Sequence, residues 1–103
     1  LKRAGPSLLK EICWRIKMRL LWEEKAWQEY CQWQNEDKKT LKRINTLIKD
    51  IMRSTYTGIG KPEPLKENLN GWWSRRIDNV NRIVYCEKDG AIIIASCKSH
   101  YEN

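Results

Sequence analysis

With 103 residues, six Trp and four Tyr, the chain makes one small domain whose core must come from few elements and large aromatic side chains. Its longest unbroken apolar run, Ala91 to Ala95, falls far short of the ~20 residues that cross a bilayer, so a soluble protein with no membrane partner is expected. The net charge of +7 is unevenly divided: residues 1–17 carry Lys2, Arg3, Lys10, Arg15 and Lys17 against Glu11, which leaves +3 for the remainder. Bulk charge therefore argues weakly for nucleic-acid binding, and local arrangement has to carry that case.

Residues 1–17 contain no secretory signal, because Leu8-Leu9 is followed at once by Lys10-Glu11 where an apolar segment of ~7 to 15 residues is needed. They are read as a leader or non-native extension of a domain spanning 18–103, with the start at Met18; codons for Trp14-Arg15 can spell the GGAGG of a ribosome-binding site. The other reading is a short helical extension, since Leu8, Leu9, Ile12 and Ile16 are spaced as on a helix.

Arg19-Leu20-Leu21-Trp22 is predicted to be a first strand, and Glu23-Glu24 marks a helix start where acidic groups suit the positive end of the dipole. Ala26, Tyr30 and Trp33 give that helix an apolar stripe ending near Gln34-Asn35. Asp37 is the expected N-cap of a second helix with Leu41, Ile44, Ile48 and Ile51 on its apolar side. Its opposite side carries Lys38, Lys39, Lys42, Arg43, Lys49 and Arg53 with Asp50 as the single acid. That face is either simply solvated or a surface for a polyanion such as ribosomal RNA.

Between Ser54 and Gly71 the helical pattern is broken by Gly58, Gly60, Pro62, Pro64 and Gly71, which predicts an ordered loop with at most a short helical turn. Three β-rich runs follow, at 72–77, 82–87 and 91–97, separated by Asp78-Asn79 and Lys88-Asp89-Gly90. The expected fold is α+β, with a short N-terminal strand and two α-helices packed on an antiparallel β-meander. Cys13, Cys31, Cys86 and Cys97 form no C-x-x-C pair, and one histidine completes no zinc set. Free, buried or part-buried thiols in a reducing cytoplasm are expected, with no metal and no cofactor.

The chemistry-bearing residues gather between Lys61 and Tyr101. Arg76 and Arg82 share a face if Ile77 opposes Asn81 across a three-residue loop; a two-residue Asp78-Asn79 turn would put them on opposite faces. Two neighbouring guanidinium groups call for an anion, and a phosphate is the natural candidate. Glu63 is held between Pro62 and Pro64, near Lys61 and Lys66, where a carboxylate stays ionised and can accept a proton. His100, with an ordinary pKa of about 6.5, can donate one near neutral pH, although taken alone it reads as a frayed terminal residue. A base, an acid and phosphate-binding cations suffice for attack by a ribose 2′-hydroxyl on its own phosphodiester.

At Leu21-Trp22, Trp27, Tyr30, Trp33-Gln34, Asp37-Lys38, Lys42, Ile44-Asn45, Leu47-Ile48-Lys49-Asp50, Gly60 to Lys66, Trp73-Ser74-Arg75-Arg76-Ile77, Arg82, Val84-Tyr85 and His100-Tyr101, the sequence resembles the YoeB branch of the RelE-type toxins of bacterial toxin–antitoxin systems. The resemblance implies a cytoplasmic mRNA interferase, an endonuclease that cuts mRNA in the A site of the 70S ribosome and is inhibited by a cognate YefM-like antitoxin. It implies Glu63 as general base, His100 as general acid, Arg82 as the main phosphate-stabilising residue, Arg76 and Lys66 as supporting cations, Lys61 beside them, and Tyr101 stacking on or orienting a base. It also suggests a homodimer. Members of this branch commonly stop at His-Tyr, whereas Glu102 and Asn103 follow here and place a negative charge beside the expected acid.

Two other functions start from the same residues. A translation inhibitor that occupies the A site without cutting would need the basic helix and aromatics but neither Glu63 nor His100. A toxin of this scaffold directed at a protein such as DNA gyrase would have no need of the Glu/Arg/His set.

Overall fold

The computed structural model describes residues 18–99, so the leader reading of 1–17 and the assignments at His100 and Tyr101 lie outside the described residues. Strand β1 (Arg19–Trp22) leads into helix α1 (Glu24–Glu36) and helix α2 (Lys38–Arg53). Strands β2 (Glu63–Pro64), β3 (Trp73–Arg76), β4 (Arg82–Lys88) and β5 (Ala91–Ser99) follow, with a 3₁₀ turn at Glu67–Leu69. The sheet order is β1-β5-β4-β3-β2.

The fold is the expected α+β class, with one topological addition. β1 lies parallel to β5, Arg19 opposite Ala91 and Trp22 opposite Ile94, so the sheet is mixed around an antiparallel β2–β5 meander. A parallel neighbour needs a long crossover, and α1, α2 and the following strands supply it. The segment expected to be loop also contains β2, a two-residue edge strand.

Asp37 caps α2 as its sequence position predicts, accepting from the Lys39 and Thr40 N–H groups at 3.1 and 3.2 Å. Ile44, Leu47, Ile48 and Ile51 of α2 and Ala26 and Trp33 of α1 meet Ile77, Ile83, Tyr85, Ile92, Ile94 and Cys97 in the core. β1 stops opposite Ile94, and α1 supplies hydrogen-bond partners for the backbone beyond it. Glu29 Oε1 accepts from the Cys97 N–H at 2.7 Å, and Trp33 Nε1 donates to the Cys97 carbonyl at 2.9 Å. β5 shifts register between Arg82 and Val84 and again between Val84 and Tyr85, bulges that bend it where the sheet approaches Arg82.

Cys31 and Cys86 are half-buried free thiols and Cys97 is buried. Burial, reinforced by Glu29, pushes the Cys97 thiol up to about 12. Among the described residues, no helix is long and apolar enough to cross a membrane.

Asp50 departs from the sequence reading. It belongs to the buried side of α2, only 5% exposed, and faces Arg75, which is fully buried. Arg75 Nη1 lies 2.5 Å from Asp50 Oδ2, and Asp50 Oδ1 also pairs with Arg53. Burial alone would raise the Asp50 pKa, but hydrogen bonds from Arg75, the Ile59 N–H and Arg53 outweigh it and hold the carboxyl below its ordinary 3.8.

Candidate active site

The β3–β4 hairpin decides where the two arginines stand. Asp78 Oδ1 accepts from the Val80 and Asn81 N–H groups at 2.8 and 2.6 Å, an Asx turn that closes a three-residue loop. Ile77 N–H donates to the Asn81 carbonyl at 3.0 Å, and Arg76 stands directly opposite Arg82. The three-residue alternative therefore holds, and the two arginines share a face. Because Ile77 and Asn81 are hydrogen-bonded, Arg76 and Arg82 form a non-bonded pair with Cα atoms about 4.5 Å apart. Burial works to raise the Asp78 pKa, but hydrogen bonds from Asn81 and Val80, helped by the Arg82 charge, leave it lowered.

Arg82 Nη1 donates to the carbonyls of Asp78 and Asn81 at 2.8 and 3.1 Å. This anchors one arm of the fork on the loop, and no described residue accepts from its Nε or Nη2. Arg76 is exposed.

Glu63 enters from the sheet edge, where β2 pairs it with Ser74. Directly opposed residues share a face and successive residues alternate, so Glu63, Ser74, Arg76, Arg82 and Val84 all belong to the face away from the helices. From strand spacing and rise, the Glu63 backbone lies about 8 Å from that of Arg76 and about 12 Å from that of Arg82, room for a phosphodiester between the side-chain heads. Glu63 is exposed and has no side-chain partner among the described residues.

The loop before Glu63 is shaped by unusual backbone. Gly60 and Lys61 both have positive φ, +82° and +52°, the second at a cost of about 1–2 kcal/mol for an L-residue with a side chain. A Cβ on Gly60 would lie 2.8 Å from Leu47 Cδ2 and 3.2 Å from Arg75 Cβ, so the close approach also demands glycine. Leu65 N–H donates to the Trp72 carbonyl at 2.8 Å, which puts the ladder bonds of this strand at odd positions. Pro62 and Pro64 therefore fall where no donor is required, and they block further strand addition at the edge.

Lys61 and Lys66 flank Glu63 on exposed positions. β5 ends at Ser99, opposite Arg82, and the next residues in the sequence are His100 and Tyr101. Of the sequence-predicted set, the fold thus brings Glu63, Arg76 and Arg82 to one face, with Lys61 and Lys66 adjacent in the chain to β2. Of the basic residues of α2, Arg43 reaches β3, its Nη2 donating to the Arg76 carbonyl at 3.3 Å, and Arg53 pairs with Asp50. Gln34, Lys38, Lys39, Leu41 and Lys42 line a groove at the α1–α2 corner, on the helical side of the sheet.

Residues 22–101 match the sequence family described as the YoeB-like toxin of bacterial type II toxin–antitoxin systems. This chain belongs to the YoeB-like toxin family. The "Toxin YoeB" of Escherichia coli (strain K12) is 51% identical over 84 residues, covering 82% of this chain and all of that protein. The YoeB dimer from Staphylococcus aureus superposes with a TM-score of 0.77 at 46% identity, covering 82% of this chain and 99% of that one. The toxin of the heterotetrameric YoeB–YefM toxin–antitoxin complex from Staphylococcus aureus gives 0.75 at 47% identity, covering 82% and 98%. The matched span, residues 22–101 of this chain, includes Glu63, Arg76, Arg82 and the Asp50–Arg75 pair.

The Asp50–Arg75 pair is what the sequence reading left without a role. Its signal was strand parity: an arginine one step from Arg76 must face the helices, and a core-facing arginine requires a buried carboxylate.

Proposed function

We propose that this chain is an endoribonuclease toxin, an mRNA interferase that cuts messenger RNA in the A site of a translating ribosome. Family membership supports the toxin. The observation that carries the nuclease reading is the register that puts Glu63, Arg76 and Arg82 on one sheet face, at the end where Ser99 opposes Arg82.

In this reading Glu63 takes the proton of the ribose 2′-hydroxyl and the 2′-oxygen attacks the adjacent phosphorus. Arg82, with Arg76 and Lys66, stabilises the charge that grows on the phosphoryl oxygens, Lys61 adds a nearby cation, and Tyr101 orients the base. His100 gives its proton to the departing 5′-oxygen. The products are a 2′,3′-cyclic phosphate and a 5′-hydroxyl, and DNA is inert for want of the nucleophile.

The lysine-lined groove at the α1–α2 corner supplies a second cationic surface, on the other side of the sheet, suited to ribosomal RNA. A YefM-like antitoxin inhibits the toxin, in keeping with the complex formed by the Staphylococcus aureus relative, and a second copy of the chain is a further partner in keeping with the dimer. The site of action is the cytoplasm, where translating ribosomes are.

The test is end-mapping of mRNA after incubation with translating ribosomes. Cleavage with cyclic-phosphate ends, lost in Glu63→Gln and His100→Ala, is expected. Inhibition of translation without cuts, surviving His100→Ala, would instead make the protein a non-cleaving A-site blocker.

A further inference from the structure

The fully buried Arg75 takes no part in the proposed chemistry, yet its guanidinium is the most heavily bonded group among the described residues. Nε donates to Tyr85 Oη at 3.1 Å, and Nη1 to Asp50 Oδ2 at 2.5 Å and the Ile59 carbonyl at 3.2 Å. Nη2 donates to the carbonyls of Ser54, Thr55 and Thr57 at 2.5, 3.2 and 2.9 Å. Four of these acceptors belong to the 54–59 segment, which has neither helix nor strand to satisfy its backbone. Asp50 Oδ2 takes the Ile59 N–H at 3.0 Å, and Tyr85 Oη donates to the Thr55 carbonyl at 2.7 Å.

The same loop delivers the proposed base. From Ile59 the chain passes through Gly60, whose carbonyl accepts the Arg76 N–H at 2.7 Å, and through Lys61 into the Glu63–Ser74 pairing. Three successive residues of β3 thus hold one loop: Arg75 its body, Arg76 its exit and Ser74 its catalytic end.

We propose that Arg75, with Asp50 and Tyr85, is a positioning residue that sets where Glu63 stands relative to Arg76 and Arg82. This rests on the nuclease reading above. The planar fork fixes several carbonyls at once, which a lysine ammonium cannot do at the same separations. Displacement of a reacting group by about 1 Å can cost about 100-fold in rate, so the loop's seat bears directly on turnover.

The experiment compares wild type, Arg75→Lys and Tyr85→Phe in the full chain. It measures kcat and KM on programmed ribosomes and amide hydrogen exchange of Arg76 and Leu65, the donors that seat the loop on β3. Expected in a folded variant are a kcat lowered by about 100-fold for Arg75→Lys and about tenfold for Tyr85→Phe, with KM within about threefold. Exchange at Arg76 and Leu65 should rise while that of Ile92 and Ile94 stays at the wild-type rate. Folded variants with wild-type kcat overturn the proposal, as does exchange raised equally across the sheet or a change confined to KM. Should Arg75→Lys not fold, Tyr85→Phe decides alone. A wild-type protein that cuts no RNA sinks the nuclease reading instead, and exchange at Arg76 and Leu65 then still decides whether Arg75 seats the loop.

Discussion

Glu63 and Arg75 sit on neighbouring strands in opposite surroundings, one exposed and one fully buried. Glu63 is exposed and bonded to no described side chain, so its replacement should change chemistry and leave folding alone. Glu63→Gln is expected to lower cleavage by about 10²–10⁴-fold with an unchanged melting temperature, measured by RNA end-mapping and thermal unfolding of the same preparations. Asp50 has the reverse profile. Asp50→Ala strands a fully buried guanidinium and should cost about 3–5 kcal/mol in denaturant unfolding. The same carboxyl predicts an acid limit. Since its folded pKa lies below the ordinary 3.8, its contribution is present above that value and is lost as pH falls through the lower folded one. Wild-type stability should therefore fall more steeply below pH 3.8 than that of Asp50→Asn; parallel curves would show that Asp50 is not the group responsible.

At the scale of elements, the β3–β4 hairpin turns a local cap into site geometry. Asp78 closes a three-residue loop, the loop length fixes the parity of the register, and parity puts Arg76 and Arg82 on one face. Asp78→Ala should leave the helices intact by circular dichroism while weakening cleavage and speeding exchange of the Ile77 amide. The α1–β5 contact depends on side chains standing in for a strand. Trp33→Phe keeps an aromatic side chain but removes the indole N–H, orphaning the Cys97 carbonyl, and trims a core group, for an expected loss of at least about 1–3 kcal/mol by chemical denaturation. Much of this level was legible beforehand: the stripe Ile44, Ile48, Ile51, the Asp37 cap and the three long strands all follow from periodicity and cap chemistry. The two-residue β2 was not, because a segment bounded by Pro62 and Pro64 becomes a strand only through the edge of β3 beside it.

On the scale of the whole molecule, the sheet separates two cationic surfaces. Glu63, Arg76 and Arg82 occupy one face, whereas the lysine-lined corner of α1 and α2 lies on the other. Replacing Lys38, Lys39 and Lys42 together by Ala should weaken ribosome association and flatten its salt dependence, read by sedimentation at several ionic strengths, without altering the cleavage products. The proposed domain of 18–103 further predicts that deletion of residues 1–17 preserves cleavage, and a truncated protein that no longer cuts would return those residues to the functional chain.

The sequence by itself determined the α+β class, the two helices, the Asp37 cap, and the residue types able to move protons and bind a phosphate. Those properties are local or compositional, carried by periodicity, turn chemistry and motif spacing. Tertiary structure decided which side of α2 Asp50 belongs to, that β1 pairs with β5, and that Arg75 serves the fold while its neighbour Arg76 faces outward. Each of those depends on contacts between residues distant in the chain. A buried ion pair in particular exists only once both partners have lost their water together.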